Sequence, residues 1–253
     1  MLSSAIWLAG LALEGALMVR AMQGRFLGRY PFFYSYLASV LFRSAALVPI
    51  YRWWPQAYRS AYWYSQFLVL VLGCGVVWEI YRTALSRYPG AARMAQNVLP
   101  FFFVLSFSRM FVKAWNSHKW LPGATSLETE RDLRIVQAVL LASLITLLAY
   151  YAVPMGRNLK GMILGYGFFL GTSVIHLTVR DYLGVTFQHA WAYIQPIAYL
   201  VVLAIWLVAL WFYAPAPELE AESRLEANYQ ALLAGTRRQL SAARTSLART
   251  MRP

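Results

Sequence analysis

Seven runs of about twenty predominantly apolar residues, each the length that crosses a hydrocarbon core, dominate this chain. They span approximately Ser4–Met22, Tyr30–Tyr51, Ala61–Leu85, Ala95–Trp115, Leu133–Val153, Asn158–Val179 and Gln188–Tyr213. Inside a bilayer every backbone N–H and C=O must be satisfied within the protein, so runs of this length are helices. The expected fold is all-α: a polytopic integral membrane protein, with a seven-transmembrane-helix bundle over residues 1–214 and a charged tail over residues 215–253. Composition agrees, since 13% of residues are charged against about a quarter in soluble domains. The expected location is a cell membrane, crossed many times, which is the inner membrane if the source is bacterial.

The net charge of +13 raises the question of nucleic acid, but the basic residues fall mainly between the apolar runs, where they anchor topology. No nucleic-acid partner is expected; the first partner is the lipid bilayer. Counting Lys and Arg on alternate sides gives fourteen on the side of Arg20, Arg82, Arg157 and the tail, against seven on the side of Arg52, Lys119 and Arg180. The excess places the N-terminus outside and the C-terminus in the cytoplasm. The N-terminal run lacks a basic start and carries Glu14, so it is read as a helix of the mature protein. Cys74, the single cysteine, lies within an apolar run and is read as a small packing residue.

After Pro215 and Pro217 the chain turns rich in helix formers, with its acids ahead of its last five arginines, an order that matches a helix dipole. Leu233, Leu240 and Leu247 recur every seven residues, which reads equally as a short coiled coil or as a basic amphipathic helix on anionic lipid.

Ionisable residues within spans are costly unless paired or hydrated, and therefore mark sites. Glu14 lies about ten residues into the first span and Arg43 about nine from the outer end of the second, so their depths match and an intramembrane ion pair is expected. Glu79 and Arg82 are three residues apart and are expected to pair locally or to reach the headgroups. Arg109, in line with Ser106 and Lys113, has no partner at its own depth apart from outer-side acids such as Glu128, Glu130 or Asp181, which makes it a ligand-binding candidate.

The stretch Arg157–Arg180 carries four glycines and a histidine. With Gly161 as origin, Gly165, Thr172 and His176 fall at about 40°, 20° and 60° on a helical wheel, and Gly167 and Gly171 at about 240° and 280°. Two small-residue seams follow, Gly161/Gly165 and Gly167/Gly171, along which another helix can approach closely. Ile163, Leu170, Val174 and Leu177 are left as the expected lipid face, and Phe168 points toward the first seam. His176 and His189, with Gln195 and Tyr199, are candidate ligand contacts on the outer side. The two histidines are also the only ones placed to hold a metal or, if opposed, a haem, but neither spacing is diagnostic and no cofactor is expected.

Seven helices with an outer N-terminus is similar, by topology alone over residues 4–213, to the architecture of rhodopsins and G-protein-coupled receptors. Rhodopsins hold retinal on a lysine of the seventh helix, and none of Lys113, Lys119 and Lys160 lies in the seventh span, so retinal is not expected. Gln195-Pro196-Ile197-Ala198-Tyr199 is similar to the receptor NPxxY motif but lies in the outer half, and Arg180-Asp181-Tyr182 is a permuted DRY. Neither assigns a family. The expected function is non-enzymatic: a receptor-like protein with an outer pocket among helices four to seven for a small or lipidic ligand, coupled through the seventh helix to the tail. Transport using Glu14, Arg43 and Arg109, or a scaffold role in a membrane complex, are the alternatives. The glycine seams and the tail are the surfaces on which a second copy or a membrane-protein partner is expected.

Overall fold

Three of the helices begin on proline, whose fixed φ and missing N–H suit a first helical turn. The computed structural model describes residues 2–24, 26–86, 88–116, 126–150, 153, 155–212, 231 and 234, so the tail and the outer loop with His118 lie outside the described residues. Among them are α1 (Leu2–Gln23), a one-turn 3-10 helix (Phe26–Gly28), α2 (Pro31–Trp53), α3 (Pro55–Ala84), α4 (Pro89–Asn116), α5 (Ser126–Tyr150) and α6 (Arg157–Leu210), with no strand. Trp54 alone separates α2 from α3, and its N–H still bonds Ile50 O at 2.8 Å.

The helical segment α6 covers 54 residues, where the sequence predicts two helices. Straight, it would be about 80 Å long. Its ends instead meet: Asn158 Nδ2 donates to Ala209 O and to Phe212 O, each at 2.8 Å, and Arg157 Nη2 donates to Val208 O at 2.6 Å. It therefore doubles back as two antiparallel arms, Arg157–Val179 and Tyr193–Leu210. Both belong to six segments long and apolar enough to cross a membrane, the others being Ala5–Gln23, Pro31–Trp53, Pro55–Ala84 and Glu130–Tyr150. The described residues are all-helical, and their apolar segments give the chain multi-pass membrane character.

The central helix is α3, packed against α2, α4, α5 and α6. The first arm of α6 lies on α3 and α5: the one hydroxyl proton of Tyr166 is shared between Gly73 O (3.1 Å) and Gln137 Oε1 (3.2 Å), while Gln137 Nε2 reaches Leu70 O at 3.3 Å. The second arm lies on α1, and α4 packs on the outside of α3 and α5. Between apolar helices in lipid there is no hydrophobic drive, so close packing and such interhelical hydrogen bonds hold the bundle.

The first glycine seam faces the second arm, where a side chain on Gly161 would meet Ala209 and one on Gly165 would meet Trp206. The second seam is looser, with Leu141 at 3.5 Å from a Cβ on Gly167 and nothing near Gly171. The expected lipid face is corrected. Ile163, Leu170 and Leu177 are buried, and the exposed stripe is Leu164, Phe168, Gly171 and Ile175, because this arm is packed on two sides and only the strip between them is free.

Glu79 also departs from expectation. It is buried and does not bond Arg82; its two carboxylate oxygens accept the backbone N–H groups of Phe32 (3.1 Å) and Phe33 (2.9 Å) at the start of α2. A carboxylate there satisfies orphan donors and meets the positive end of the helix dipole. Glu79→Ala is expected to cost about 2 kcal/mol in a detergent-denaturation titration, with Glu79→Gln intermediate because its amide offers a single acceptor.

Candidate ligand-binding chamber

Where α2 climbs toward its turn into α3, the bundle does not close. A cavity of about 640 Å³ lies between α1, α2, α3, α5 and both arms of α6, a volume typical of small-molecule sites. The expected position among helices four to seven is corrected: α4 contributes nothing to the lining, and α1, α2 and α3 contribute much of it.

Polar side chains enter this space from all six helical segments. On α1, Glu14 is 2% exposed; Oε1 accepts the hydroxyl of Tyr199 at 2.7 Å, and Oε2 has no hydrogen-bond partner. Across the chamber a relay links three helices. Arg43 Nη1 of α2 donates to Gln66 Oε1 of α3, and Gln66 Nε2 donates at 2.6 Å to Glu130 Oε1 of α5. The same oxygen accepts Arg134 Nε (3.1 Å) and Nη2 (3.0 Å) one turn along. The Arg134 guanidinium stands 4.7 Å from the ring centre of Phe169, and that of Arg43 stands 5.8 Å from Tyr62, so each cation also rests on an aromatic ring.

Toward the Arg20 end the space is sealed. Leu17, Phe33, Leu37, Val76, Ile80, Leu203 and Trp206 are each at most 1% exposed, and Phe33 meets Trp206 edge to face at 4.9 Å. Polar groups in the open half and a packed apolar plug in the other make a blind pocket.

Glu14 and Arg43 both line the chamber, but the direct ion pair expected between them is not made; Glu14 takes Tyr199 and Arg43 takes Gln66. Both line one cavity, each bonded to a different neighbour. Gln195, Tyr199 and His176 line the same space, and the His176 ring stacks on Trp191 with centres 5.2 Å apart. The side chain of His189 lies outside the described residues, as do those of Glu128 and Asp181. Arg109 is exposed on α4, away from the chamber. Among the described residues no group of three metal-ligating side chains comes together.

Three lining residues carry no signal in the sequence reading. Gln66 is an uncharged residue within an apolar run, Arg134 passes as a topological anchor, and Tyr36 as packing. The pattern that could have exposed one of them is Glu130/Arg134, an acid and a base four apart at the mouth of a span. Comparison of the chain with protein-family models, with curated proteins and with solved structures finds no match, so its function is read from the chamber itself.

Proposed function

We propose that this chain is a seven-span membrane protein of receptor type that takes a small polar ligand into the chamber from the outer side. The observation that carries this reading is the blind shape: a cavity lined by Glu14, Arg43, Gln66, Glu130 and Arg134 that ends on the apolar plug around Trp206. Charged walls favour a polar ligand over a wholly apolar one, and the plug favours binding over conduction. The basic-residue count supports an outward mouth, and more strongly than at first sight. Arg134 sits in the chamber wall rather than at a headgroup, so seven less one leaves six against fourteen.

Coupling inward runs along the second arm of α6. That arm carries Gln195 and Tyr199 in the chamber, with the helix-bending Pro196 between them, and ends at Trp211, whose carbonyl accepts Arg20 Nε at 2.6 Å just before the tail. A ligand that engages Glu14 and Tyr199 therefore acts on the helix leading to residues 213–253.

Ser173→Cys in a Cys74→Ala background tests the mouth and its side. In right-side-out vesicles a membrane-impermeant thiol reagent is expected to label the new cysteine from outside; labelling from the inner side alone, or none in folded protein, defeats the proposal. The charged groups within spans also favour a second reading, transport, in which the plug opens in another state. Solute uptake into proteoliposomes that disappears in Glu14→Gln would establish that alternative.

A further inference from the structure

Resting on the chamber as a ligand site, we propose that its ligand is a zwitterion whose ammonium group is held by Glu14 and whose acidic group is held by Arg43. Glu14 and Arg43 are opposite charges that face one cavity without pairing. The Glu14 carboxylate has one oxygen committed to Tyr199 and the other, buried, left without a donor. Arg43 commits one nitrogen to Gln66, and a guanidinium carries five N–H donors, so capacity remains. The other two charges are already used on each other, through the two bonds from Arg134 to Glu130.

Charge balance narrows the ligand further. Glu14 and Glu130 offset Arg43 and Arg134, so a ligand of net charge brings an uncompensated charge into a low-dielectric space, where such a charge is costly. A molecule with one ammonium and one acid adds none, and each of its poles meets an open partner. The rings of Trp7, Tyr36 and Tyr193 around the cavity suit the ammonium pole, and 640 Å³ accommodates either a free amino acid or a phosphoethanolamine headgroup. The shared chemistry of these two sources is a primary ammonium a few bonds from an acid.

Calorimetric titration of the full chain, in nanodiscs of phosphatidylcholine, separates them. The probes are a panel of L-α-amino acids and glycerophosphoethanolamine. Each binder is compared with its single-charge derivatives: the methyl ester (or ethanolamine) that keeps only the ammonium, and the N-acetyl form that keeps only the acid. Intact zwitterion is expected to bind at least tenfold more tightly than either derivative. Glu14→Gln is expected to erase the preference over the N-acetyl form, and Arg43→Gln the preference over the ester. Both comparisons are internal to one protein sample, so a general loss of fold does not imitate them. Equal binding of a derivative to the unmodified protein overturns the zwitterion while leaving the chamber reading intact. Absence of binding by every probe overturns it as well, and the Ser173→Cys labelling then decides separately whether the chamber is open.

Discussion

Gly161→Leu is expected to yield no folded protein, and Gly161→Ala to lose about 1–3 kcal/mol, a penalty typical of overpacking a close contact. A Cβ at this position would fall against the methyl of Ala209, with its Cα 3.5 Å away, so the obstacle is a methyl fixed rigidly to the facing helix rather than the tip of a flexible side chain. Relief requires the two arms of α6 to separate, and separation stretches the bonds from Asn158 to Ala209 O and Phe212 O and from Arg157 to Val208 O. It also lifts Trp206 away from Gly165 and so loosens the plug under the chamber. Ala209→Gly removes the opposing methyl, and its own cost is limited to about 1 kcal/mol of helix propensity. In a thermal-melt cycle the pair Gly161→Ala and Ala209→Gly should therefore couple favourably by roughly 1 kcal/mol or more. Gly171→Ala, with open space around it, is the neutral control. Equal melting temperatures for Gly161→Ala and Gly171→Ala would show that the first seam is not the close contact described.

The bilayer makes some features readable from sequence and hides others. Span length and apolarity are imposed residue by residue, so the apolar segments can be recognised without a structure. Depth along a helix could also be counted, and it brought Glu14 and Arg43 to one cavity. Lateral distance cannot be counted from one sequence, so their separation, and the insertion of Gln66 as the partner of Arg43, were out of reach. Helical angles behaved similarly. The wheel puts Gly161 and Gly165 on one face, but it supplies angles within one helix and not the directions of its neighbours, and so it assigns Leu170 to lipid when it is buried. Glu79 was misread for the same reason: its partner is the start of a helix 46 residues earlier in the chain, while Arg82 was merely the nearest charge in sequence. Arg109 marks another limit: its position along α4 can be counted, but that it stands on the exposed side of that helix cannot.

Glu130→Ala should be the most destabilising substitution in the chamber wall, costing about 3–5 kcal/mol, the range for breaking one partner of a buried ion pair. Glu130 is 8% exposed and Arg134 6%, and one carboxylate oxygen accepts both guanidinium bonds together with that of Gln66. Its removal leaves a buried cation whose remaining neighbour is the face of Phe169, and it frees the Gln66 amide that orients Arg43. If the pair is held only by mutual neutralisation, removing both charges should be far milder. Glu130→Leu with Arg134→Met is expected to recover most of the loss in a detergent-denaturation cycle, since apolar replacements of similar volume are often neutral or stabilising. The recovered protein would nonetheless differ in function: with Gln66 no longer tied to α5, Arg43 loses its fixed position, and zwitterion affinity should fall although stability returns. A double variant as unstable as Glu130→Ala alone would mean that the wall relies on the shape of these side chains, and one that binds as tightly as the unmodified protein would remove the relay from ligand recognition.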